Sequence, residues 1–259
     1  MVNLVVNGRS LSVSGDVTLL QAVRAAGVDL PTLCYFDGLA SYGACRLCMV
    51  TIAAPRRALV ASCSYPVEDG LVVETESPDA IATRRLALEF LLSRCPTSDV
   101  IRALAATAGV STTRFATHGK ADDLCILCGL CVRVCRDLVG AAAIGFIGRG
   151  AQREVGAPFH VQSEACIGCG ACAAVCPTGA VKIEDREGQR VLHTWNTAVP
   201  LKPCPVCGKP FAPEPMAFLR NLAEASEHLW GVCPACRRKQ AAGQLDVARE
   251  ASLYRSGSV

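Results

Sequence analysis

Two runs of four cysteines constrain this chain more than anything else in it. The first, CILCGLCVRVC, spans residues 125–135, and the second, CIGCGACAAVC, spans residues 166–176 and is followed by Pro177. Each is spaced C-x2-C-x2-C-x3-C. Three thiolates this close let one loop wrap three corners of an iron–sulfur cube, and the fourth, one helical turn on, points at a neighbouring cube. Two such runs in tandem therefore specify two [4Fe-4S] cubanes that exchange ligands. The first would be held by Cys125, Cys128, Cys131 and Cys176, the second by Cys135, Cys166, Cys169 and Cys172. A pair of structural zinc sites is the competing reading, but tetrahedral zinc takes two C-x2-C pairs per ion rather than two runs of four. Gly129, Gly168, Gly170 and Gly179 lie among the cysteines. Small residues there leave backbone N–H groups free to approach cluster sulfur, one of the levers on potential.

This is the spacing of bacterial two-cluster ferredoxins, and the composition agrees with it. The chain has 259 residues, room for two or three modest domains, and 17 cysteines. The N-terminal MVNLVVNGRS has no basic region followed by an apolar stretch and a cleavage site. No apolar run reaches the roughly 18 residues of a spanning helix. The expectation is a cytoplasmic chain without direct membrane insertion, whose cysteines carry metal rather than disulfides. A net charge of +3 is too small to indicate nucleic acid or an anionic membrane as partner.

From the N-terminus, VNLVVN at 2–7 and LSVS at 11–14 flank a Gly8-Arg9 turn and form a hairpin. Asp16 or Thr18 can cap a helix through TLLQAVRAAG, closed by Gly27. Pro31 opens a loop, and 47–53 and 71–76 supply later strands. Hairpin, helix and long cysteine-bearing loop follow in the order of a β-grasp domain. The loop holds Cys34, Cys45, Cys48 and Cys63 in the pattern C-x10-C-x2-C-x14-C. Plant-type [2Fe-2S] sites share the plan of a lone cysteine, a close pair and a distant fourth; the first gap is longer here, and structural zinc is the alternative.

The stretch TLLQAVRAAGVDLPTLCYFDGLASYGACRLCMVTI, followed by ALVASCSYPVEDGLVV, closely resembles the N-terminal [2Fe-2S] domain of one protein family. That family includes the large iron–sulfur subunit of NADH:quinone oxidoreductase, the diaphorase small subunit of NAD-reducing hydrogenase, iron-only hydrogenases and NAD-linked formate dehydrogenase iron–sulfur subunits. The resemblance extends through CILCGLCVRVC and GRG at 148–150, covering about residues 1–185. It implies that Cys34, Cys45, Cys48 and Cys63 ligate the [2Fe-2S] cluster.

PDAIATRRLALEFLLSR at 78–94 is an amphipathic helix with apolar Ile81, Leu86, Phe90 and Leu91. In the family it leads into a further cubane held by H-x3-C-x2-C-x5-C. Here Cys95-Pro96 falls where His-Pro would lie, and the next ligand positions are Asp99, Arg102 and Ala108. None is a thiolate, and Arg102 would repel iron. This cluster site is expected to be lost and the segment to be plain helix, with Cys95 a small buried hydrophobe rather than a remnant ligand. STTRFATHGKADD then links to the cubane domain. His118, His160, His193 and His228 are isolated and read as ordinary polar residues, and Arg149 as a turn arginine. Residues 136–165 suggest a hairpin insert with FHVQ at 159–162 as strand.

Beyond Pro177, a closing strand, a turn at Glu187-Gly188 and a second strand precede a new module. KPCPVCGKPF carries Cys204 and Cys207, and GVCPACRRK carries Cys233 and Cys236. PEPMAFLRNLAEASEHLW between them looks helical. Two C-x2-C pairs separated by an element suit one tetrahedral metal. A module with little core needs such a staple, so a zinc ribbon is expected, with rubredoxin-like iron or a further cluster as alternatives. Arg237, Arg238 and Lys239 read as a solvated helix start.

The expected fold class is α+β. It comprises a β-grasp [2Fe-2S] domain at 1–77, a helical linker at 78–117, a two-[4Fe-4S] ferredoxin domain at 118–192 and a zinc-ribbon-like module at 200–245. No G-x-G-x-x-G, P-loop or flavin motif appears, so no substrate site is expected. A wire without a substrate site connects partners. The resemblance implies a flavin subunit handling NAD(P)H and a catalytic hydrogenase or dehydrogenase subunit. One [2Fe-2S], two [4Fe-4S] and one zinc predict ~10 Fe and ~1 Zn per chain. Elemental analysis of anaerobically purified protein checks this. A result near ~14 Fe without zinc, a third cubane, would overturn the assignment of the last four cysteines.

Overall fold

The computed structural model describes residues 1–117, 123–213 and 231–243. The chain divides into two compact units, residues 1–156 with 171–181, and residues 157–170 with 182–259. His118, His228 and the helix expected between the last two cysteine pairs lie outside the described residues.

The first unit begins with the expected hairpin, β1 (Val2–Val6) antiparallel to β2 (Arg9–Val13). Asn7 and Gly8 close it with positive φ, as a tight two-residue turn requires. Thr18 then starts α1 (Leu19–Ala25). Its hydroxyl accepts from the Gln21 N–H while the Gln21 side chain accepts from the Thr18 N–H, a reciprocal cap that satisfies two orphan donors. Three more strands follow: β3 (Met49–Ala54), β4 (Ala58–Ala61) and β5 (Leu71–Glu74). The sheet order is β2-β1-β5-β3-β4, with only β1 and β5 parallel. Alternation along β1 and β5 buries Leu4, Val6, Leu71 and Val73 against Leu19, Leu20 and Val23 of α1. This core fixes both ends of the cysteine loop that runs from α1 to β3.

α2 (Pro78–Arg94) is capped by the Ser77 hydroxyl, and α3 (Asp99–Thr107) follows at once. The buried stripe of α2 differs from expectation. Ala80, Ala87, Leu88, Leu91 and Leu92 face inward, while Ile81 and Leu86 are only half-buried. Phe90 is exposed and stacks on Phe115 at 4.3 Å. Alanines on the inner face let the backbone come close to its neighbours, which a bulky residue would prevent. Two short helices, α4 (Leu130–Arg133) and α5 (Ala171–Ala174), carry cysteines of the two runs. The expected insert is a hairpin, β6 (Gly145–Ile147) with β7 (Glu154–Gly156).

The second unit is built on an antiparallel sheet of order β11-β10-β9-β8. Its strands are β8 (Ile183–Arg186), β9 (Gln189–Leu192), β10 (Thr197–Pro203) and β11 (Pro210–Pro213). Glu187 and Gly188 make the expected turn, both at positive φ. Leu192, Trp195, Val199 and Leu201 are its buried apolar residues. The FHVQ strand is not formed. Pro158–His160 is a single 3-10 turn in which Phe159 and His160 adopt φ of 56° and 58°, incompatible with extended backbone. Among the described residues no helix is long and apolar enough to cross a membrane.

Candidate iron–sulfur and metal centres

The loop between α1 and β3 carries only Cys34, Cys45 and Cys48 of the four cysteines expected there; Cys63 comes from the 3-10 turn Ser62–Ser64 that follows β4, and all four are buried. Their thiols touch one another, Cys34 contacting both Cys45 and Cys63, and Cys63 contacting Cys48 as well. The Cys34 and Cys45 sulfurs lie 3.4 Å apart, and each accepts a backbone N–H: Cys45 N–H to Cys34 Sγ at 3.4 Å, Leu33 N–H to Cys45 Sγ at 3.5 Å. The Cys45 thiol bonded to Cys34 holds Cys34 far below the ordinary thiol range, and the same contact, with burial, raises Cys45. Cys48 is brought down to about 6, chiefly by the Cys63 thiol. Ser62, beside Cys63, ties this pair through its hydroxyl and N–H to the Cys48 carbonyl at 2.7 and 3.2 Å. Four desolvated, mutually contacting thiols, with N–H groups aimed at sulfur, are a donor set that fits a two-iron cluster.

The first cysteine run lies in the same unit. Cys125 and Cys128 sit in the loop before α4 and Cys131 within it, while Cys176 follows α5. The four are close enough to feel one another's charge, and burial raises Cys128 to about 11 and Cys131 further. Cys176 Sγ accepts the Ala180 N–H at 3.2 Å. Thr178 donates to the Leu124 carbonyl at 2.7 Å, tying the Cys176 segment to the start of the first run. From the end of α2, Arg94 donates to the Cys125 carbonyl at 2.7 Å. Leu127 and Gly129 take φ of 54° and 71° to turn the loop back on itself. A Cβ on Gly129 would crowd the Phe146 ring at 3.1 Å and sit at a left-handed φ, so a larger residue is strained there. This is a set of converging, desolvated thiols with N–H···S support, as a cubane requires.

The other four cysteines of the tandem are divided. Cys135 and Cys172 belong to the first unit, Cys166 and Cys169 to the second. Cys172 lies in α5. The Cys135 carbonyl accepts from Ala141 and Ala142, and the Cys166 N–H reaches the Ser163 carbonyl at 3.0 Å.

The N-terminal cysteine loop and the first run share one apolar core. Leu33, Cys34, Cys45 and Leu47 pack with Leu88 and Leu91 of α2, Ile101 of α3, and Ile126, Cys128 and Leu130 of the first run. Cys95 is in this core, wholly buried at the end of α2, where its N–H bonds the Leu91 carbonyl at 2.8 Å. Asp99, Arg102 and Ala108, where the family's further ligands would stand, belong to α3 or its cap.

In the second unit, the sulfurs of Cys204, Cys207, Cys233 and Cys236 lie within 4.8 Å of one another. Cys207 Sγ is 3.7 Å from Cys233 Sγ. Gly208 N–H bonds the Cys204 carbonyl at 2.8 Å, and the Cys204 N–H bonds the Lys209 carbonyl at 2.8 Å, folding the first knuckle. In the second knuckle the Cys233 N–H points at Cys204 Sγ and the Cys236 N–H at Cys233 Sγ, both at 3.4 Å. The N–H of Cys233 lowers Cys204 to about 6, while the Cys207 contact raises Cys236 to about 12. A tetrahedron with 2.3 Å metal–sulfur bonds has edges of about 3.8 Å. The observed spacing therefore suits a single ion, since a cubane binds each thiolate to a different iron and spreads them apart.

Sequence reasoning missed Arg133 and Tyr42. Arg133 is buried between the two ligand loops. The available signal was an arginine inside the otherwise apolar V-R-V of the first run.

Residues 1–78 match the 2Fe-2S iron-sulfur cluster binding domain, and residues 124–180 the 4Fe-4S dicluster domain. The mitochondrial NADH-ubiquinone oxidoreductase 78 kDa subunit of Candida albicans is 32% identical over 206 residues, covering 70% of this chain and 28% of its own length. The NADP-reducing hydrogenase subunit HndD of Solidesulfovibrio fructosivorans is 31% identical over 210 residues, covering 70% of this chain and 36% of its own. A chain of the crystal structure of an NAD+-reducing [NiFe]-hydrogenase in the H2-reduced state superposes with a TM-score of 0.53. The identity is 29%, over 60% of this chain and 74% of that one. This chain thus spans between a quarter and two fifths of the length of the curated relatives it matches.

Burial pushes the Cys95 thiol up to about 12. A raised thiol stays protonated below its pKa, so Cys95 carries no thiolate at pH 8. In the folded, metal-free chain, iodoacetamide is expected to label Cys207 first and Cys95 only on unfolding. Mass spectrometry of timed quenches checks this; rapid Cys95 labelling in folded protein would contradict its placement.

Proposed function

We propose that this chain, a homologue of the 78 kDa subunit of NADH-ubiquinone oxidoreductase and of NADP-reducing hydrogenase HndD carrying a [2Fe-2S] and a [4Fe-4S] dicluster domain, is the iron–sulfur wire of an NAD(P)H-linked complex. It relays single electrons between a flavin subunit and a low-potential catalytic subunit. The observation that carries this reading is the shared core. The Cys34/Cys45 loop and the Cys125–Cys131 loop are packed against each other through apolar side chains. An electron can pass between carriers held in this way without crossing water.

Cys34, Cys45, Cys48 and Cys63 hold the [2Fe-2S] cluster, and Cys125, Cys128, Cys131 and Cys176 the first [4Fe-4S]. By the matched dicluster domain, Cys135, Cys166, Cys169 and Cys172 hold the second. Bound clusters supply one-electron storage, with plant-type [2Fe-2S] centres near roughly −400 mV, in the range of NAD(P)H and hydrogen chemistry. The chain's own residues supply the thiolates, exclude water with Leu33, Leu47, Ile126 and Leu130, and pin the ligand loops through Arg94 and Thr178. Cys204, Cys207, Cys233 and Cys236 hold one zinc ion, which carries no electrons and staples a region whose core, among the described residues, is the cysteines with Phe211 and Val232.

Anaerobic purification from the source cell, with the co-eluting chains identified, tests the complex. The expected result is a flavin-containing NAD(P)H subunit together with a hydrogenase or dehydrogenase subunit. Elution alone with intact clusters would replace the subunit reading with a freestanding multi-cluster carrier.

A further inference from the structure

Arg133 stands between Cys131 and Cys135 on the first run, and its side chain is buried, with the residue 6% exposed. Nη2 donates to the carbonyl of Cys34 at 2.7 Å, and Nη1 donates to the carbonyl of Ala40. One guanidinium therefore joins α4 to two points of the N-terminal cysteine loop, one of them a ligand residue. The Tyr42 ring covers it, with the guanidinium carbon 5.5 Å from the ring centroid. Tyr42 is backed by Phe146, stacked on it at a centroid distance of 6.2 Å, and by Arg153, whose Nη2 donates to the Tyr42 hydroxyl at 3.3 Å.

What this cation lacks is a counter-charge. Its named contacts are neutral: two carbonyls and a ring. Its Nε is buried without a hydrogen-bond partner. Among the described residues no salt bridge includes it. Asp137 feels its charge, but the Asp137 carboxylate is taken by Arg136 at 2.6 and 3.2 Å. A buried charge without a partner is strongly unfavourable. A protein that keeps one must supply compensation that these contacts do not provide.

We propose that Arg133 is the fixed counter-cation of the iron–sulfur wire, raising the reduction potential of the [2Fe-2S] cluster through the Cys34 loop it is bonded to. This rests on the cluster assignment made above. Four thiolates on a diferric core leave a net negative charge, which grows by one when a single electron converts one ferric iron to ferrous. No proton is needed to balance that step. A buried positive charge favours the more negative, reduced state, and it does so strongly because neither water nor salt screens it. Arg133 is thus a positioning residue through its fork and a tuning residue through its charge, and the two roles separate by substitution.

The test is a redox titration followed by EPR on the intact holoprotein, comparing wild type with R133K and R133Q. Wild type must first show the reduced [2Fe-2S] signal; its absence would defeat the cluster assignment rather than this proposal. R133Q removes the charge and keeps a donor, and is expected to lower the [2Fe-2S] midpoint by a tenfold change in the oxidised-to-reduced ratio, about 59 mV for one electron. R133K keeps the charge and is expected to stay within a threefold change of wild type. An unchanged R133Q midpoint overturns the proposal. Equal drops in R133K and R133Q also overturn it, since the fork alone would then matter. If R133Q fails to load clusters, R133M is titrated as the charge-free variant in its place, with the same drop expected and the same unchanged midpoint overturning the proposal. If R133K fails too, Arg133 is a structural fork only.

Discussion

The packing of two ligand loops into one apolar core is the constraint on which the rest of this chain depends. Leu33 and Leu47 flank the N-terminal cysteines, Ile126 and Leu130 flank those of the first run, and Leu88, Leu91 and Ile101 pack with both. Neither loop has enough regular structure to hold its own shape. Each borrows rigidity from the other and from α2, whose alanines let the helix lie close. Clusters need dry surroundings and fixed thiolates, and a shared core supplies both. Buried thiols are costly as thiolates, which is why Cys128 and Cys131 are pushed upward without metal.

The C-terminal knuckles solve a different problem with the same residue. Their sulfurs converge to the edge length of a single tetrahedral site, two of them already receiving backbone N–H groups. Among the described residues, the apolar side chains packed against them are Phe211 and Val232. There a bound metal would substitute for a core, whereas in the first unit an apolar core itself gathers the thiols.

Much of this was legible from residue order. The hairpin, the capped helix and the late strands follow from period-two alternation, from a cap at Asp16 or Thr18 and from a glycine turn, although the turn falls on Asn7-Gly8 rather than Gly8-Arg9. The mixed α+β class and the two cluster domains follow from cysteine spacing, because ligand geometry leaves few alternatives. β4 is not legible, since ALVA is too short to distinguish from loop. The inward face of α2 escapes a reading by hydrophobicity, which favours Phe90 over Ala87 where close approach favours the smaller residue. FHVQ resembles a strand by composition, but Phe159 and His160 sit at left-handed φ that composition does not report. Arg133 is invisible for another reason. A cation in an apolar run signals burial only once a second loop arrives to bond it, and that pairing spans 99 residues of sequence.

The most direct test of the shared core is EPR of the fully reduced protein at low temperature. Two paramagnetic centres fixed close together broaden or split each other's signals. The account predicts that the spectrum of the [2Fe-2S] cluster and first cubane departs from the sum of the separate centres, and that replacing Cys131 with Ser restores a simple [2Fe-2S] line. A spectrum equal to that sum, in protein with full iron, would contradict it.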